Sequence, residues 1–459
     1  MCIRDSLGAG QVGTSMAEIL SLEANDITLI DHNANQLEGL EDRLDIRTIV
    51  GNGPHPGILK QAGIEDADLL LAVTDQDEVN MAACQIAHSL YRTPKKIARI
   101  RATEYLTHPE IFCNESIPID FIISPEQIIT QQILALIENP GALQVVEFAG
   151  GRIQLVGVRA YFGGPLVGHE LRDLRKHLPM INTRVAAVYR RDRPIIPLGE
   201  TIIEPDDEVF FIAAKAHIRE VISELRNVET PGRRVILAGA GNIGLRLART
   251  LEDNGYRVKL IERNPDRIRE VADLVEDTVV LHGDAAYQEL LWQENIDQTE
   301  VLCALTNADE ANILSGMLAK RLGAKHAIAL VTRSAYVDLI ESSVLDVAIS
   351  PQLATVGTLL THIRRGDMAA VHSLRRGAAE AIEAIAHGDP ATSQVVGRRI
   401  DQISLPPGTT LSALVRGDDV IIAKGSTVIE AEDHVIIFVI DKQRIPEVER
   451  LFQVAATFI

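Results

Sequence analysis

The sequence is poor in aromatic residues and cysteines, and it has no long apolar run. Phe, Trp and Tyr make up only 4% of the 459 residues, which predicts a core of Val, Ile, Leu and Ala. Apolar stretches such as residues 435–440 are strand-sized, far below the roughly 20 residues that cross a bilayer. The four cysteines are widely separated and form no C-x-x-C pair, which is typical of thiols in a reducing compartment; they are Cys2, Cys84, Cys113 and Cys303. We therefore expect a cytoplasmic protein.

Basic stripes, metal-ligand clusters and common catalytic motifs are also missing. The formal net charge of −19 would repel a phosphate backbone, which argues against a nucleic-acid partner. The 13 histidines form no metal-ligand spacing with the cysteines. The sequence contains no H-E-x-x-H, G-x-S-x-G or Walker A motif. We expect neither a metal site nor catalytic residues.

What the chain does contain is one glycine-rich motif in two copies. The copies are Gly8-Ala9-Gly10-Gln11-Val12-Gly13 and Gly239-Ala240-Gly241-Asn242-Ile243-Gly244. Each opens a helical pattern, and each is followed by an apolar strand that ends in a carboxylate, Asp31 or Glu262, 18 positions after the last glycine (13 to 31 and 244 to 262). Such a turn lets a backbone and a helix N-terminus approach a pyrophosphate. Two dinucleotide sites are predicted, the alternative being two tight turns without ligands.

Polar residues at the ends of later strands extend both predicted sites. An acidic side chain at Asp31 and Glu262 accepts ribose hydroxyls and repels a 2′-phosphate, so NAD(H) is favoured over NADP(H). At the second site, Arg263 next to Glu262 weakens this preference slightly. Further candidates follow the third and fourth strands; they are Asn52, Thr74 and Asp75 in the first copy and Asp284, Thr306 and Asn307 in the second. Thr74 and Asp75 could instead cap the next helix, a role compatible with ligand contact.

Two arginines, Arg101 and Arg333, follow the next strand at positions that we take as equivalent, 232 residues apart (101 to 333). A guanidinium there could reach cofactor phosphates. An ordinary solvated arginine is the alternative at both positions.

Alternating apolar runs and helix-length segments predict two doubly wound parallel-sheet domains. A small α+β domain follows each, with strands expected at 153–158, 185–189 and 208–212 in the first. The expected limits are 1–139 and 232–366 for the nucleotide-binding domains, and 140–227 and 367–459 for the small domains.

Two local features carry further expectations. Residues 1–6 lack the apolar pattern of the strand that should precede the first glycine turn, so we interpret them as a replacement of the original strand and not as a signal peptide. Ser124-Pro125-Glu126-Gln127 predicts a helix start with Ser124 as the cap and Gln127 completing a capping box. Ser350-Pro351 predicts a second such start.

Throughout its length the sequence resembles the TrkA family, the regulatory subunits of Trk potassium-uptake systems, with two KTN (RCK) nucleotide-binding domains and two TrkA-C domains. The stretches that carry the resemblance are 7–13, 98–101, 140–146, 260–264 and 373–377. The resemblance implies a homotetrameric ring, peripheral on the inner face of the cell membrane, beneath a potassium-translocating membrane subunit. It implies binding of NAD(H) and adenine nucleotides (ATP or ADP) through both sets of residues, with ring shape gating transport.

Two other functions are weighed against this one. An NAD-dependent oxidoreductase would need a proton donor facing the nicotinamide, and the small domains show no Tyr/Lys or His/Asp pair of that kind. A channel with its own pore is disfavoured because no membrane segment is predicted.

Overall fold

In the computed structural model the described residues form four sheets, two parallel and two antiparallel. These residues are 3–21, 25–195, 197–226, 232–333, 336, 345–363, 368–375 and 378–454, without the side chains of 3–5. The chain divides into two compact units: Met1–Ile128 with Gln352–Arg364, and Ile129–Pro351 with Arg365–Ile459. No described helix has the length and apolar character needed to cross a bilayer.

The first parallel sheet lies in the first unit and has the strand order β3-β2-β1-β4-β5-β6, as in doubly wound dinucleotide-binding folds. Its strands are β1 (Ile3–Leu7), β2 (Asp26–Asp31), β3 (Arg47–Val50), β4 (Leu69–Ala72), β5 (Lys95–Arg99) and β6 (Phe121–Ile123). Its helices are α1 (Gln11–Ser21), α2 (Ala34–Leu37), α3 (Leu40–Arg43), α4 (Pro56–Ala62), α5 (Asp77–Ile86), a π-helix (Ala87–Tyr91), α6 (Thr103–Leu106), a 3₁₀ turn (Pro109–Ile111) and α7 (Pro125–Glu138). The predicted fold class is confirmed for this part of the chain.

The second parallel sheet repeats this order as β14-β13-β12-β15-β16-β17. Its strands are β12 (Arg234–Ala238), β13 (Arg257–Glu262), β14 (Val279–His282), β15 (Val301–Ala304), β16 (His326–Leu330) and β17 (Val347–Ile349). Its helices are α10 (Asn242–Asp253), α11 (Pro265–Ala272), α12 (Gln288–Gln293), a 3₁₀ turn (Ile296–Gln298), α13 (Asp309–Arg321) and α14 (Pro351–Ile363). From Gln352 onward α14 belongs to the first unit, where the His362 ring stacks on Phe121 with ring centroids 3.3 Å apart.

Each small domain is an antiparallel sheet, with strand orders β10-β9-β11-β8-β7 and β18-β19-β22-β20-β21. The strands are β7 (Ala142–Phe148), β8 (Ile153–Arg159), β9 (Thr183–Arg190), β10 (Arg193–Ile195), β11 (Glu208–Ala214), β18 (Met368–Leu374), β19 (Ala379–Ile385), β20 (Thr409–Arg416), β21 (Asp419–Ile422) and β22 (His434–Val439). The helices are α8 (Leu174–His177), α9 (Ile218–Ser223) and α15 (Ile445–Phe452), with 3₁₀ turns at Leu171–Asp173, Lys215–His217, Ile400–Gln402 and Lys442–Arg444. Both sheets contribute to one core, in which Phe148, Phe210 and Phe438 are buried.

Of the two local features, the first stays an interpretation and the second prediction is wrong. The backbone of residues 3–7 does form the central strand, between β2 and β4, but the buried Ser6 hydroxyl has no hydrogen-bond partner among the described residues. The predicted capping box at the start of α7 is wrong, because the buried Ser124 hydroxyl makes no hydrogen bond to the helix. The backbone N–H groups of Gln127 and Ile128 donate instead to the Ser124 carbonyl oxygen.

The predicted domain limits at 227, 366 and 367 lie outside the described residues, as do Arg376 and Gly377 of the stretch 373–377. The limits stay predictions.

Candidate functional site

The first and last glycines of each motif are required by the protein itself. Gly8 and Gly239 have φ of +99° and +107°, in the left-handed region that favours glycine. A Cβ atom on Gly13 would lie 1.8 Å from the Gly8 carbonyl oxygen, and one on Gly244 would lie 2.0 Å from that of Gly239. These four glycines therefore allow a helix to begin directly against the turn that follows a central strand.

No contact within the described protein requires glycine at the middle position of either motif. A Cβ atom on Gly10 or Gly241 would meet no atom within 4 Å, and neither residue has a positive φ. Both residues are exposed, at the amino ends of α1 and α10. Since nothing in the chain requires glycine there, the open space fits a ligand backbone or phosphate that approaches the turn closely.

The carboxylates predicted to bind ribose are fixed against the same turns. Asp31 is 8% exposed and accepts the backbone N–H groups of Ala9 at 2.7 Å and Asn33 at 2.8 Å. Oδ1 also lies 3.3 Å from His32 Nδ1, whereas Oδ2 accepts only the Ala9 N–H among the described residues and keeps a lone pair for an incoming hydroxyl. The structure therefore brings Asp31 to the first turn, as the spacing predicts.

Glu262 has the same arrangement in the second copy, with one more donor. It accepts backbone N–H groups from Ala240 at 2.8 Å, Arg263 at 2.7 Å and Asn264 at 2.9 Å. Burial raises the pKa of Glu262, but the three backbone donors together with Arg267 outweigh it and hold the pKa below its usual value. The side chain is therefore an ionised acceptor at neutral pH.

Thr74 and Thr306 follow β4 and β15 beside the glycine turns and are held by two buried asparagines. The backbone N–H and hydroxyl of Thr74 donate to Asn80 Oδ1 at 3.0 and 2.7 Å, and Thr306 makes the same pair of bonds to Asn312 at 2.9 and 2.6 Å. Each asparagine also donates to a carbonyl of the next strand, that of Arg99 or Leu330. Sequence reasoning did not identify a role for either asparagine.

Two buried aspartates, Asp77 and Asp309, hold the backbone that follows β5 and β16. Each carboxylate accepts the N–H groups of two consecutive residues at 2.8–2.9 Å. The donors are Arg101 and Ala102 in the first copy and Thr332 and Arg333 in the second. Asp77 and Asp309 are positioning residues that sequence reasoning missed, although their duplication was visible.

The expected equivalence of Arg101 and Arg333 is wrong by one residue. The donors to the two aspartates show that Arg101 corresponds to Thr332 and Arg333 to Ala102. The first copy carries one extra residue before β5, where the π-helix Ala87–Tyr91 replaces a regular helical end. A π-turn is the usual way for a helix to absorb a single insertion.

The two arginines consequently have different partners. Arg101 Nε lies 3.0 Å from Glu126 Oε1 at the start of α7. Arg333 Nη1 lies 3.0 Å from Glu310 Oε1 and 2.8 Å from the Tyr336 hydroxyl, with its guanidinium 5.1 Å from that ring. Each copy therefore presents its positive charge differently at the carboxyl end of its sheet.

The remaining candidates lie at the ends of strands or at the helix starts. Asp284 pairs with Arg263 at 2.9 Å, whereas Asn52, Asp75 and Asn307 are exposed. The candidates in the first turn of α1 and α10 are Gln11, Val12, Asn242 and Ile243. Within the described ranges, no group of three or more His, Cys, Asp or Glu side chains is placed to hold a metal ion.

Comparisons with known proteins agree with this architecture. The TrkA-N domain model matches residues 7–125 and 235–351, and the TrkA-C domain model matches residues 155–226 and 389–453. The Trk system potassium uptake protein TrkA of Halomonas elongata is 60% identical over 452 residues, covering 98% of this chain and 99% of the relative. Its namesake from Vibrio alginolyticus is 57% identical over 454 residues, covering 99% of each chain.

Solved structures show the same fold. The GsuK RCK domain aligns with a TM-score of 0.61 and 19% identity, covering 98% of this chain and 95% of its own. A GsuK channel bound to NAD aligns with a TM-score of 0.61 and 18% identity, covering 98% of this chain and 78% of its own. The resemblance inferred from the sequence is confirmed, and the chain belongs to the TrkA family.

Proposed function

We propose that this chain is a nucleotide-binding regulatory subunit of a Trk-type potassium-uptake system. In this proposal NAD(H) and adenine nucleotides occupy the crevices at the two glycine turns, and their occupancy gates potassium transport by a membrane partner. The names of the full-length relatives, Trk system potassium uptake protein TrkA, support the transport system. A GsuK channel bound to NAD, and a GsuK structure bound to ADP, support the ligand class.

The observation that carries the proposal is the open space at Gly10 and Gly241. Each open turn faces the end of a strand whose carboxylate, Asp31 or Glu262, is already oriented by backbone N–H groups. A bound dinucleotide would place its pyrophosphate at the turn and its adenosine ribose at the carboxylate. The chain's own contribution is to bind and orient that ligand.

Regulation then follows from differential binding. A nucleotide that prefers one arrangement of a ring shifts the population toward it, and the membrane partner responds to that shift. The two copies differ where ligand selectivity would arise, because Asp75 and Arg101 of the first correspond to Asn307 and Thr332 of the second. We accordingly infer that the two sites differ in nucleotide preference.

The assembly and location belong to the same proposal. We infer a homotetrameric ring, peripheral on the inner face of the cell membrane, with the domain limits 1–139, 140–227, 232–366 and 367–459 for each chain. Co-purification with a polytopic potassium transporter, with and without NADH and ATP, tests this assembly.

Binding without consumption separates this function from that of an NAD-dependent oxidoreductase. Purified protein is expected to bind NADH while the absorbance of NADH stays constant over hours, with or without candidate substrates. Steady oxidation of NADH that depends on the protein would overturn the regulator proposal. A Gly10→Val/Gly241→Val variant serves as the matched control, because any oxidation that it retains comes from a contaminant.

Removing a ribose-binding carboxylate is expected to weaken NAD(H) binding at that site. Asp31→Ala and Glu262→Ala should each lower the affinity of their own site by about 10- to 100-fold, since each removes charged hydrogen-bond acceptors. Isothermal titration calorimetry measures this effect, with Asp66→Ala as an exposed acidic control. Unchanged affinity in both single variants and in the double variant would remove the assignment.

A further inference from the structure

A cavity of about 300 Å³ lies in the second unit, and none of its lining residues belongs to either glycine turn. One wall is formed where β15, β16 and β17 begin, at Val301, His326 and Val347. Nucleotides in doubly wound folds bind at the opposite, carboxyl ends of the strands. The other wall comes from the first small domain and from the segment that leads into it from α7. The cavity is therefore separate from the site described above.

The cavity exists because two side chains differ between the copies. In the first copy, Phe121 at the start of β6 stacks on His362 of α14, with ring centroids 3.3 Å apart. The corresponding residues of the second copy are Val347 at the start of β17 and Leu136 of α7, and both line the cavity. The valine is smaller than the phenylalanine that it replaces, and the Val347–Leu136 pair has no ring stack to fill the space between its two side chains.

One wall of the cavity carries the guanidinium of Arg226. The Arg226 guanidinium lies 4.8 Å from the centre of the Tyr161 ring, and its Nη1 is 3.4 Å from the Gly141 carbonyl oxygen. Among the described residues Arg226 forms no ion pair, although the carboxylate of Asp206 also lines the cavity. By contrast Lys320, on the opposite wall, pairs with Asp346 at 3.0 Å.

The two arginines of the cavity wall, Arg159 and Arg226, have no basic counterparts in the second small domain. Arg159, which also lines the cavity, ends β8 and lies 3.3 Å from Glu208. In the second small domain the residue that ends the matching strand β19 is Ile385, and the position that matches Arg226, after α15, is Gln453. The second small domain therefore has no guanidinium at either of these two positions.

We propose that this cavity binds a small organic phosphate monoester. The phosphate would accept from Arg226, with Arg159 and Lys320 nearby, because a guanidinium offers paired donors that match phosphate oxygens. The organic part would lie against the apolar wall formed by Leu136 and Val347. The volume is at the lower end of ligand pockets, which favours a ligand smaller than a dinucleotide. The ligand would contact the small domain and the second parallel sheet together.

The test uses calorimetry on the full-length protein with phenyl phosphate as the probe, compared with inorganic phosphate and phenol. We expect saturable binding of phenyl phosphate that NADH does not compete away, and at least about tenfold weaker binding of the two fragments. Arg226→Gln should weaken the binding of phenyl phosphate about tenfold or more. Val347→Phe should abolish it, because the phenyl ring refills the cavity as Phe121 does in the first copy. Arg193→Gln, an exposed arginine of the same domain, should leave it unchanged.

Retained NADH binding shows that each variant is folded. Several results would overturn the proposal: no saturable binding of phenyl phosphate to the wild type, equal binding by Arg226→Gln or Val347→Phe, or displacement by NADH. Inorganic phosphate that binds as tightly as phenyl phosphate would overturn the assignment to a monoester. Each of these results leaves the proposed function at the glycine turns intact, so the two proposals fail separately.

Discussion

Valine in place of Gly10 and Gly241 is expected to abolish dinucleotide binding while leaving the fold intact. An added Cβ meets no protein atom within 4 Å at either position, and Gly241 has φ of −66°, which valine adopts readily. The valine side chain would occupy the space into which the pyrophosphate must come. We expect each substitution to weaken NAD(H) binding at its own site by at least about 100-fold, or about 2.7 kcal/mol. Calorimetry on the two single variants and the double variant measures this loss.

The control for this experiment is Gly199→Val in the first small domain. Gly199 likewise has no positive φ, and an added Cβ would approach only Arg172 Cβ, at 3.8 Å. The Gly199→Val variant should bind NAD(H) as tightly as the wild type does. Wild-type affinity in the Gly10→Val/Gly241→Val double variant would show that the open space serves no ligand.

Alanine in place of Gly13 or Gly244 should instead destabilise the fold of its domain, without contacting the ligand directly. The added Cβ would lie 1.8 or 2.0 Å from a backbone carbonyl oxygen, and no side chain can move aside to relieve that contact. Overpacking of this kind costs typically 1–3 kcal/mol, and a clash with backbone belongs at the upper end, so we expect about 3 kcal/mol. Thermal and denaturant unfolding measure it.

A glycine in a helix gives the comparison for that substitution. Gly57 lies in α4, its φ is not positive, and an added Cβ meets nothing within 4 Å. Gly57→Ala should be neutral or slightly stabilising, by about 0.4–1 kcal/mol, because alanine restricts the unfolded chain. If Gly13→Ala were as stable as Gly57→Ala, the tight contact between helix and turn would be contradicted.

Much of the fold could be predicted because its strands are buried on both faces. Stretches such as Leu69–Ala72 and Val301–Ala304 are continuous apolar runs between helical segments, and they form strands of the two parallel sheets. The strand β7 was missed. It begins just after Asn139-Pro140-Gly141, which is typical of a turn, and a bulge at Leu143 breaks its register against β8.

The one-residue shift between Arg101 and Arg333 could not be found by counting along the sequence. The extra residue of the first copy sits in the π-helix Ala87–Tyr91, and a helical pattern tolerates one inserted residue without an obvious break. Strand pairing reveals the extra residue, as do the hydrogen bonds to the two aspartates: Leu69 pairs with Lys95 in the first sheet, and Val301 pairs with His326 in the second.

The support around the candidate site depends on tertiary contacts that a sequence pattern does not contain. Asn80 joins the ends of two neighbouring strands, through Thr74 and the Arg99 carbonyl, and that role exists only once the sheet has formed. Ser124 shows the converse, because its sequence context is typical of a helix cap, yet its buried hydroxyl makes no such bond. Local patterns located the site, and the packed sheet determined its details.

The central claim is that occupancy of the glycine-turn crevices controls potassium uptake. It is tested most directly by measuring potassium uptake in cells that lack their own Trk regulatory subunit and produce either this chain or its Gly10→Val/Gly241→Val variant at equal levels. We predict that the wild-type chain restores nucleotide-dependent uptake and that the variant, folded and present, does not. Equal uptake with both chains, or none with either, would contradict the account.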